Sequence, residues 1–161
     1  LLREYLKKEI NELNEQNISL GVIGRIGELS APVRSDLERA IQQTQQNTGL
    51  RLTLALNYGS RAELVDAVRA LVARARSNGA LEIDESAVSR QLYTAAIPDP
   101  DLLIRTSVEM RLSNFLLWQA AYSEIWVTDT LWPDFTQIHL FQAVLDFQKR
   151  ERRYGGLGAR C

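Results

Sequence analysis

Four short apolar runs, at residues 18–24, 50–56, 101–105 and 125–128, constrain the fold most, because no two-residue turn joins any of them to the next. Strands spaced in this way pair in parallel, since a parallel partner is reached only by a crossover of a dozen or more residues. Helical signals fill the gaps. Leu2, Tyr5, Leu6, Ile10 and Leu13 share one face of an opening helix. A second helix follows Ser30 and Pro32, with Leu37, Ala40, Ile41 and Thr44 on one side and a stop at Asn47-Thr48-Gly49. A third starts at a capping box, Ser60 to Glu63, buries Leu64, Val65, Val68, Leu71 and Val72, and stops at Asn78-Gly79. A short helix spans about residues 84–93, another starts near Ser113, and the last runs from a capping box at Asp134 to about Arg153. The expectation is an α/β fold, a parallel β-sheet with helices on both faces. With 45% hydrophobic and 24% charged residues, the chain reads as one domain over residues 1–154 and a flexible Gly-rich tail over 155–161.

Several function classes are set aside by composition. A formal net charge of -1 gives no global field to attract nucleic acid or anionic lipid, so an anion site has to be local. The basic run at residues 149–153 reads as a solvated helix end favoured by the macrodipole, with RNA binding as the other reading. Apolar runs such as residues 115–118 are too short to cross a bilayer and no leader pattern opens the chain, so a soluble, cytoplasmic protein is expected. A single cysteine, Cys161, and a single histidine, His139, build neither an internal disulfide nor a His/Cys metal cluster, and neither is given a role. The chain begins at Leu1 already in helical phase. This fits either a start that lies elsewhere or a shortened domain.

In open parallel sheets the ligand lies beyond the carboxyl ends of the strands. That directs attention to Arg105 at the end of the third run, and to Arg111, Leu112 and Ser113 leading into the expected helix. Two guanidinium groups, a hydroxyl at an N-cap and unpaired helical N–H groups converge there, which suits an anion with several oxygens. Glu124 adds a carboxylate of the kind that Mg²⁺ shares with a polyphosphate. A second reading stays open: Arg105 and Arg111 pair with Glu109 and Glu124 in a surface network, and Ser113 is only a cap.

The same residues carry a resemblance. Pro98-Asp99-Pro100-Asp101-Leu102-Leu103-Ile104-Arg105-Thr106-Ser107, with Glu109-Met110-Arg111-Leu112-Ser113-Asn114-Phe115-Leu116-Leu117-Trp118-Gln119, resembles the signature of the cis-prenyltransferases, nearest the undecaprenyl diphosphate synthases. The likeness extends through Ala121-Tyr122-Ser123-Glu124, Leu131-Trp132-Pro133-Asp134-Phe135 and Arg150-Glu151-Arg152-Arg153-Tyr154-Gly155-Gly156. Upstream it includes Asn47-Thr48-Gly49-Leu50 and Leu56-Asn57-Tyr58-Gly59. The resemblance implies condensation of isopentenyl diphosphate onto an allylic diphosphate, with Mg²⁺ assisting departure of the allylic diphosphate and each new double bond cis. It also implies that Arg105, Arg111, Leu112 (through its backbone) and Ser113 hold isopentenyl diphosphate and that Glu124 is a metal ligand. Arg153 and Gly155 would reach the site of a partner subunit in a homodimer. Membrane contact is at most peripheral, and the location is cytoplasmic, or plastid in a photosynthetic eukaryote.

The departures from that pattern matter as well. Val108 stands where similar proteins carry Gly, and a β-branched residue is strained if the position is left-handed. Met110 stands where some relatives place a His metal ligand, and a thioether suits Mg²⁺ poorly. The family's Asp-Gly-Asn-Gly-Arg loop and Phe-Ser-Thr-Glu-Asn-Trp segment are not among the 161 residues. The resemblance therefore implies the larger, C-terminal part of one domain, with no catalytic residue of its own, an uncovered sheet edge or face, and no transfer by itself. The alternative is a non-catalytic partner subunit or an inactive fragment. Ile138, Phe141 and Leu145 are candidates to bury against a second subunit. The tryptophans and phenylalanines, like Leu50, Leu52 and Leu54, line either a prenyl tunnel or an ordinary core.

Overall fold

The structure is a computed structural model that describes residues 2–79 and 82–150. It divides into two compact units, Leu1–Ala96 and Ile97–Cys161. The expected tail, with Arg153 and Gly155, lies outside the described residues.

The first unit runs α1 (Leu2–Glu15), β1 (Ser19–Ile23), α2 (Ala31–Thr44), β2 (Arg51–Ala55), α3 (Ser60–Asn78) and α4 (Glu85–Ser89). β1 and β2 pair in parallel, from Ser19 opposite Arg51 to Ile23 opposite Ala55. Leu6 of α1, Leu20 of β1, and Leu37 and Ala40 of α2 form the core, joined by Ile10, Val22 and Leu54. Thr44, fully buried, fastens α2 to β1: its hydroxyl donates to Ala40 O and accepts from Leu20 N–H, both at 3.0 Å. Gly24 ends β1 at φ +117, where a Cβ would stand 2.0 Å from Leu56 O, so only glycine fits.

Two features of α3 differ from the sequence expectation. Gly59 is the N-cap and Ser60 is already helical, so the capping box does not form. Glu63, fully buried, instead accepts from the Tyr58 hydroxyl at 2.6 Å and from Tyr93 N–H at 2.9 Å. This anchor turns the face of Glu63, Ala67 and Leu71 inward and leaves Val65, Val68 and Val72 exposed. One turn on from Glu63, Asp66 takes both Nε and Nη2 of Arg25, at 2.9 and 3.0 Å, and the Tyr93 hydroxyl at 2.5 Å. The Arg25 and Tyr93 hydrogen bonds hold the Asp66 carboxyl down at about 2. Burial, reinforced by Asp66, pushes the Tyr93 phenol up.

The second unit contains β3 (Leu102–Arg105), β4 (Glu124–Val127) and α5 (Gln137–Gln148). β3 and β4 pair in parallel, from Leu102 opposite Glu124 to Arg105 opposite Val127. Parallel pairing is as the sequence predicts. The helix expected from Ser113 is not present: residues 106–118 form turns, followed by a 3₁₀ turn at Gln119–Tyr122. Ser113, Asn114 and Leu116 all have positive φ, at 49, 61 and 48°, which a right-handed helix excludes. The last helix also starts later than expected. Asp134 closes a 3₁₀ turn, Trp132–Asp134, and Thr136 is the N-cap of α5. His139 completes its capping box, Nδ1 accepting from Thr136 N–H at 3.0 Å. Exposed faces remain on both pairs, with Leu52 of β2 and Ile125 of β4 open to solvent.

Candidate anion-binding site

At the carboxyl end of β3 the chain turns sharply. Ser107 and Val108 both occupy the left-handed region, at φ 68 and 59°, and the Val108 side chain is exposed. Two successive non-glycine residues there, one β-branched, cost about 1–3 kcal/mol each. The extended chain after β4 holds the turn: Ser107 N–H donates to Thr130 O at 3.1 Å and Val108 N–H to Thr128 O at 2.9 Å. Left-handed geometry at residue 108 is what the Val-for-Gly departure predicts to be strained.

Glu109 follows directly, and the two arginines converge on it. Arg105 Nη2 donates to Glu109 Oε2 and, at 3.2 Å, to Ser113 Oγ. Arg111 grips the same carboxylate with both ends of its fork, Nη2 to Oε1 at 2.5 Å and Nε to Oε2 at 3.3 Å. The Arg111 and Arg105 hydrogen bonds hold the Glu109 carboxyl below the usual carboxylate range, and Glu109 raises Arg111 in return. Arg105 keeps its Nε–H buried without a hydrogen-bond partner. A buried donor in that state is unfavourable and is relieved by an acceptor brought from outside.

Of the residues singled out in the sequence, the structure therefore gathers Arg105, Arg111 and Ser113. Leu112 joins them by lining a pocket of about 200 Å³ with Leu103, Met110 and Val127. A second pocket, of about 450 Å³, reaches Arg105 and Glu109 past Ile104, Thr106, Phe115 and Trp132. Side chains alternate across a strand, so Leu103 and Ile104 open these pockets toward opposite faces of the β3–β4 pair. The helix N-terminus anticipated at Ser113 contributes nothing, because no helix starts there; the positive charge comes from guanidinium groups alone.

Glu124 is not brought to the cluster. Its register opposite Leu102 places it at the amino end of β4, about 10 Å along the strands from Arg105. There Oε2 accepts from Arg150 Nη1 at 2.8 Å. Among the described residues no group of three or more His, Cys, Asp or Glu side chains could hold a metal ion. Mg²⁺ requires near-octahedral oxygen ligation. One carboxylate already paired with Arg150, at the far end of the strands, does not fit it.

In the sequence Glu109 stands out only as a counter-ion, and Thr128 only as the end of a strand, with Thr130 not marked at all. A carboxylate placed between two arginines in a short loop was the available signal for the first. Nothing in Thr128-Asp129-Thr130 marks the two threonines for the site, because their part is played largely by backbone carbonyls.

Comparison with known proteins agrees with the motif. Residues 1–155 match a family model described as "Putative undecaprenyl diphosphate synthase". The isoprenyl transferase of Heliobacterium mobile is 52% identical over 98% of this chain and 61% of its own length. That of Bacillus cereus (strain ATCC 10987 / NRS 248) is 48% identical over 98% and 62%. This chain thus spans about three fifths of the curated relatives it matches. Among solved structures, lavandulyl diphosphate synthase from Lavandula x intermedia, in complex with dimethylallyl diphosphate, superposes with a TM-score of 0.91 at 32% identity, covering 96% of this chain and 68% of that one. A probable undecaprenyl diphosphate synthase from Campylobacter jejuni gives 0.84 at 30%, covering 96% and 71%. Motif, parallel α/β architecture and these likenesses agree: the chain belongs to the undecaprenyl diphosphate synthase family of cis-prenyltransferases.

Proposed function

We propose that this chain carries the isopentenyl diphosphate side of a cis-prenyl elongation site. The observation that supports the reading is the convergence of Arg105 and Arg111 on one carboxylate, with the Ser113 hydroxyl on Arg105, at the carboxyl end of a parallel strand. A diphosphate presents several oxygens to planar guanidinium forks, and it satisfies the buried Arg105 Nε–H as Glu109 does not. Glu109 holds the two arginines until the ligand arrives, and phosphate oxygens then replace its carboxylate.

In the reaction, a carbon–carbon bond forms between the isopentenyl unit and the allylic carbon. The allylic C–O bond breaks as diphosphate leaves with its electron pair, and a proton lost from the isopentenyl unit sets the new cis double bond. These residues fix the diphosphate end of the isopentenyl substrate, so that its alkene is presented in one orientation. The groups that act on the allylic diphosphate belong, by the family resemblance, to the Asp-Gly-Asn-Gly-Arg loop. The 161 residues alone bind isopentenyl diphosphate and do not transfer it. The family resemblance implies Mg²⁺ for the complete reaction, but Glu124, paired with Arg150, does not fit it as a ligand here.

A homodimer with cytoplasmic location and peripheral membrane contact belongs to the same proposal. It is supported by Ile138, Phe141 and Leu145, which α5 leaves exposed, and by the finding that no described helix is long and apolar enough to cross a membrane. Two measurements test the function. Calorimetric titration with isopentenyl diphosphate is expected to show saturable binding, and labelled isopentenyl diphosphate with an allylic primer and Mg²⁺ is expected to give no product. Absent binding removes the diphosphate seat, and product formation by these residues overturns the division of labour.

A further inference from the structure

Thr128 holds more of the anion seat than its place outside the motif suggests. Its backbone N–H donates to Arg105 O at 2.9 Å, and its carbonyl accepts from Val108 N–H at 2.9 Å. Its hydroxyl pairs with Thr130 Oγ1 at 3.0 Å and accepts from Thr130 N–H at 3.2 Å. Thr130 O in turn accepts from Ser107 N–H. The side-chain bond within residues 128–130 therefore aims two carbonyls at the two left-handed residues, Ser107 and Val108, while the backbone of Thr128 fixes the end of β3. Both arginines depend on this arrangement. Arg105 lies on one side of the turn, and Glu109 and Arg111 lie on the other.

We infer that Thr128 is a positioning residue for the diphosphate seat, acting through the Ser107–Val108 turn without touching the ligand. The inference rests on reading the Arg105–Arg111 cluster as that seat. Losing the hydroxyl frees Thr130 N–H, lets the carbonyls of 128 and 130 swing away, and releases a turn that Val108 does not favour by itself. Glycine at 108 adopts the left-handed conformation without such help. The hydroxyl is thus needed because of the residue at 108, and the two positions are coupled.

The test titrates inorganic pyrophosphate into the 161-residue chain and its Thr128→Val, Thr128→Ser, Val108→Gly and Val108→Gly/Thr128→Val variants, with thermal unfolding measured on each. Thr128→Val is expected to weaken binding about tenfold, the size of one lost hydrogen bond, in a chain that still folds with its unfolding midpoint lowered by no more than about 4 °C. Thr128→Ser, which keeps the hydroxyl, stays within about twofold. In the Val108→Gly background the Thr128→Val loss shrinks to about threefold or less. Equal losses in both backgrounds, a Thr128→Val chain that binds like the parent, or one that no longer folds would each assign Thr128 a merely structural part and overturn the inference. A parent chain that does not bind pyrophosphate at all would instead overturn the seat itself, and this inference with it.

Discussion

Two guanidinium–carboxylate clusters, one in each unit, use the same chemistry to opposite ends. In the first unit Asp66 takes both nitrogens of one Arg25 fork, the Tyr93 hydroxyl and, at 3.3 Å, a nitrogen of the exposed Arg69, and the Arg25–Asp66–Tyr93 group is half-buried. In the second, Glu109 is shared between two arginines, one of them, Arg111, 69% exposed, and it stands on a turn with two left-handed residues. Asp66 is locked among partners on a helix, a loop and the segment that follows α4. Glu109 is held in a geometry that another anion can take over, beside an arginine nitrogen that is buried and unmet. A carboxylate surrounded by matched donors stabilises a fold. One placed on a strained loop with a donor left over marks a place where a ligand belongs.

Removing the arginines separates the clusters most strongly. The Arg105→Ala/Arg111→Ala double variant is expected to lose more than 100-fold in pyrophosphate affinity, from charge-assisted bonds of about 1.5–3 kcal/mol each, with little change in unfolding. Calorimetry and circular dichroism on the same samples check both halves. Asp66→Asn is the reverse case: it should lower the unfolding midpoint by about 4–8 °C and leave pyrophosphate affinity within about twofold. The pH dependence follows from the sign of the shift. The Asp66 carboxyl is held at about 2, below its ordinary 3.8, so its contribution is complete above about pH 4 and is lost as pH falls through 2. Acid unfolding of the parent should show a transition in that window that Asp66→Asn lacks. The smallest effect is expected for Glu109→Gln. It removes the resident negative charge and keeps the shape, and should tighten pyrophosphate about threefold by competition titration. Weaker binding would mean that Glu109 serves the ligand only by positioning the arginines.

The sequence made the parallel pairs and the arginines legible because their signals are local. Apolar runs at residues 18–24 and 50–56 read as strands at such spacing, although no residue of β2 is itself buried, and an Arg at the end of a strand points to its carboxyl-end site. The course of residues 113–118 was not legible. Phe115-Leu116-Leu117-Trp118 has an apolar density that suits a helix as well as a turn, and nothing in those letters reveals positive φ at Ser113 or Leu116. The orientation of α3 was hidden for a different reason. Val65, Val68 and Val72 have the right period for a core face, but Tyr58, Tyr93 and Arg25 draw Glu63 and Asp66 inward and impose another rotation. Tertiary partners far along the chain decide such cases, and a window of local periodicity does not contain them.

The two crossovers also imply an order of events. Between β1 and β2 most of the connection is α2, which shortens the path from about 3.3 to 1.5 Å per residue and delivers Thr44 to Leu20. Between β3 and β4 the connection is turns and one 3₁₀ segment, so the strands must meet without a helix to draw them together. Parallel pairing is slow when the closing loop carries no structure of its own. The first unit is therefore expected to order before the segment bearing the anion seat, which pulsed hydrogen exchange during refolding would check.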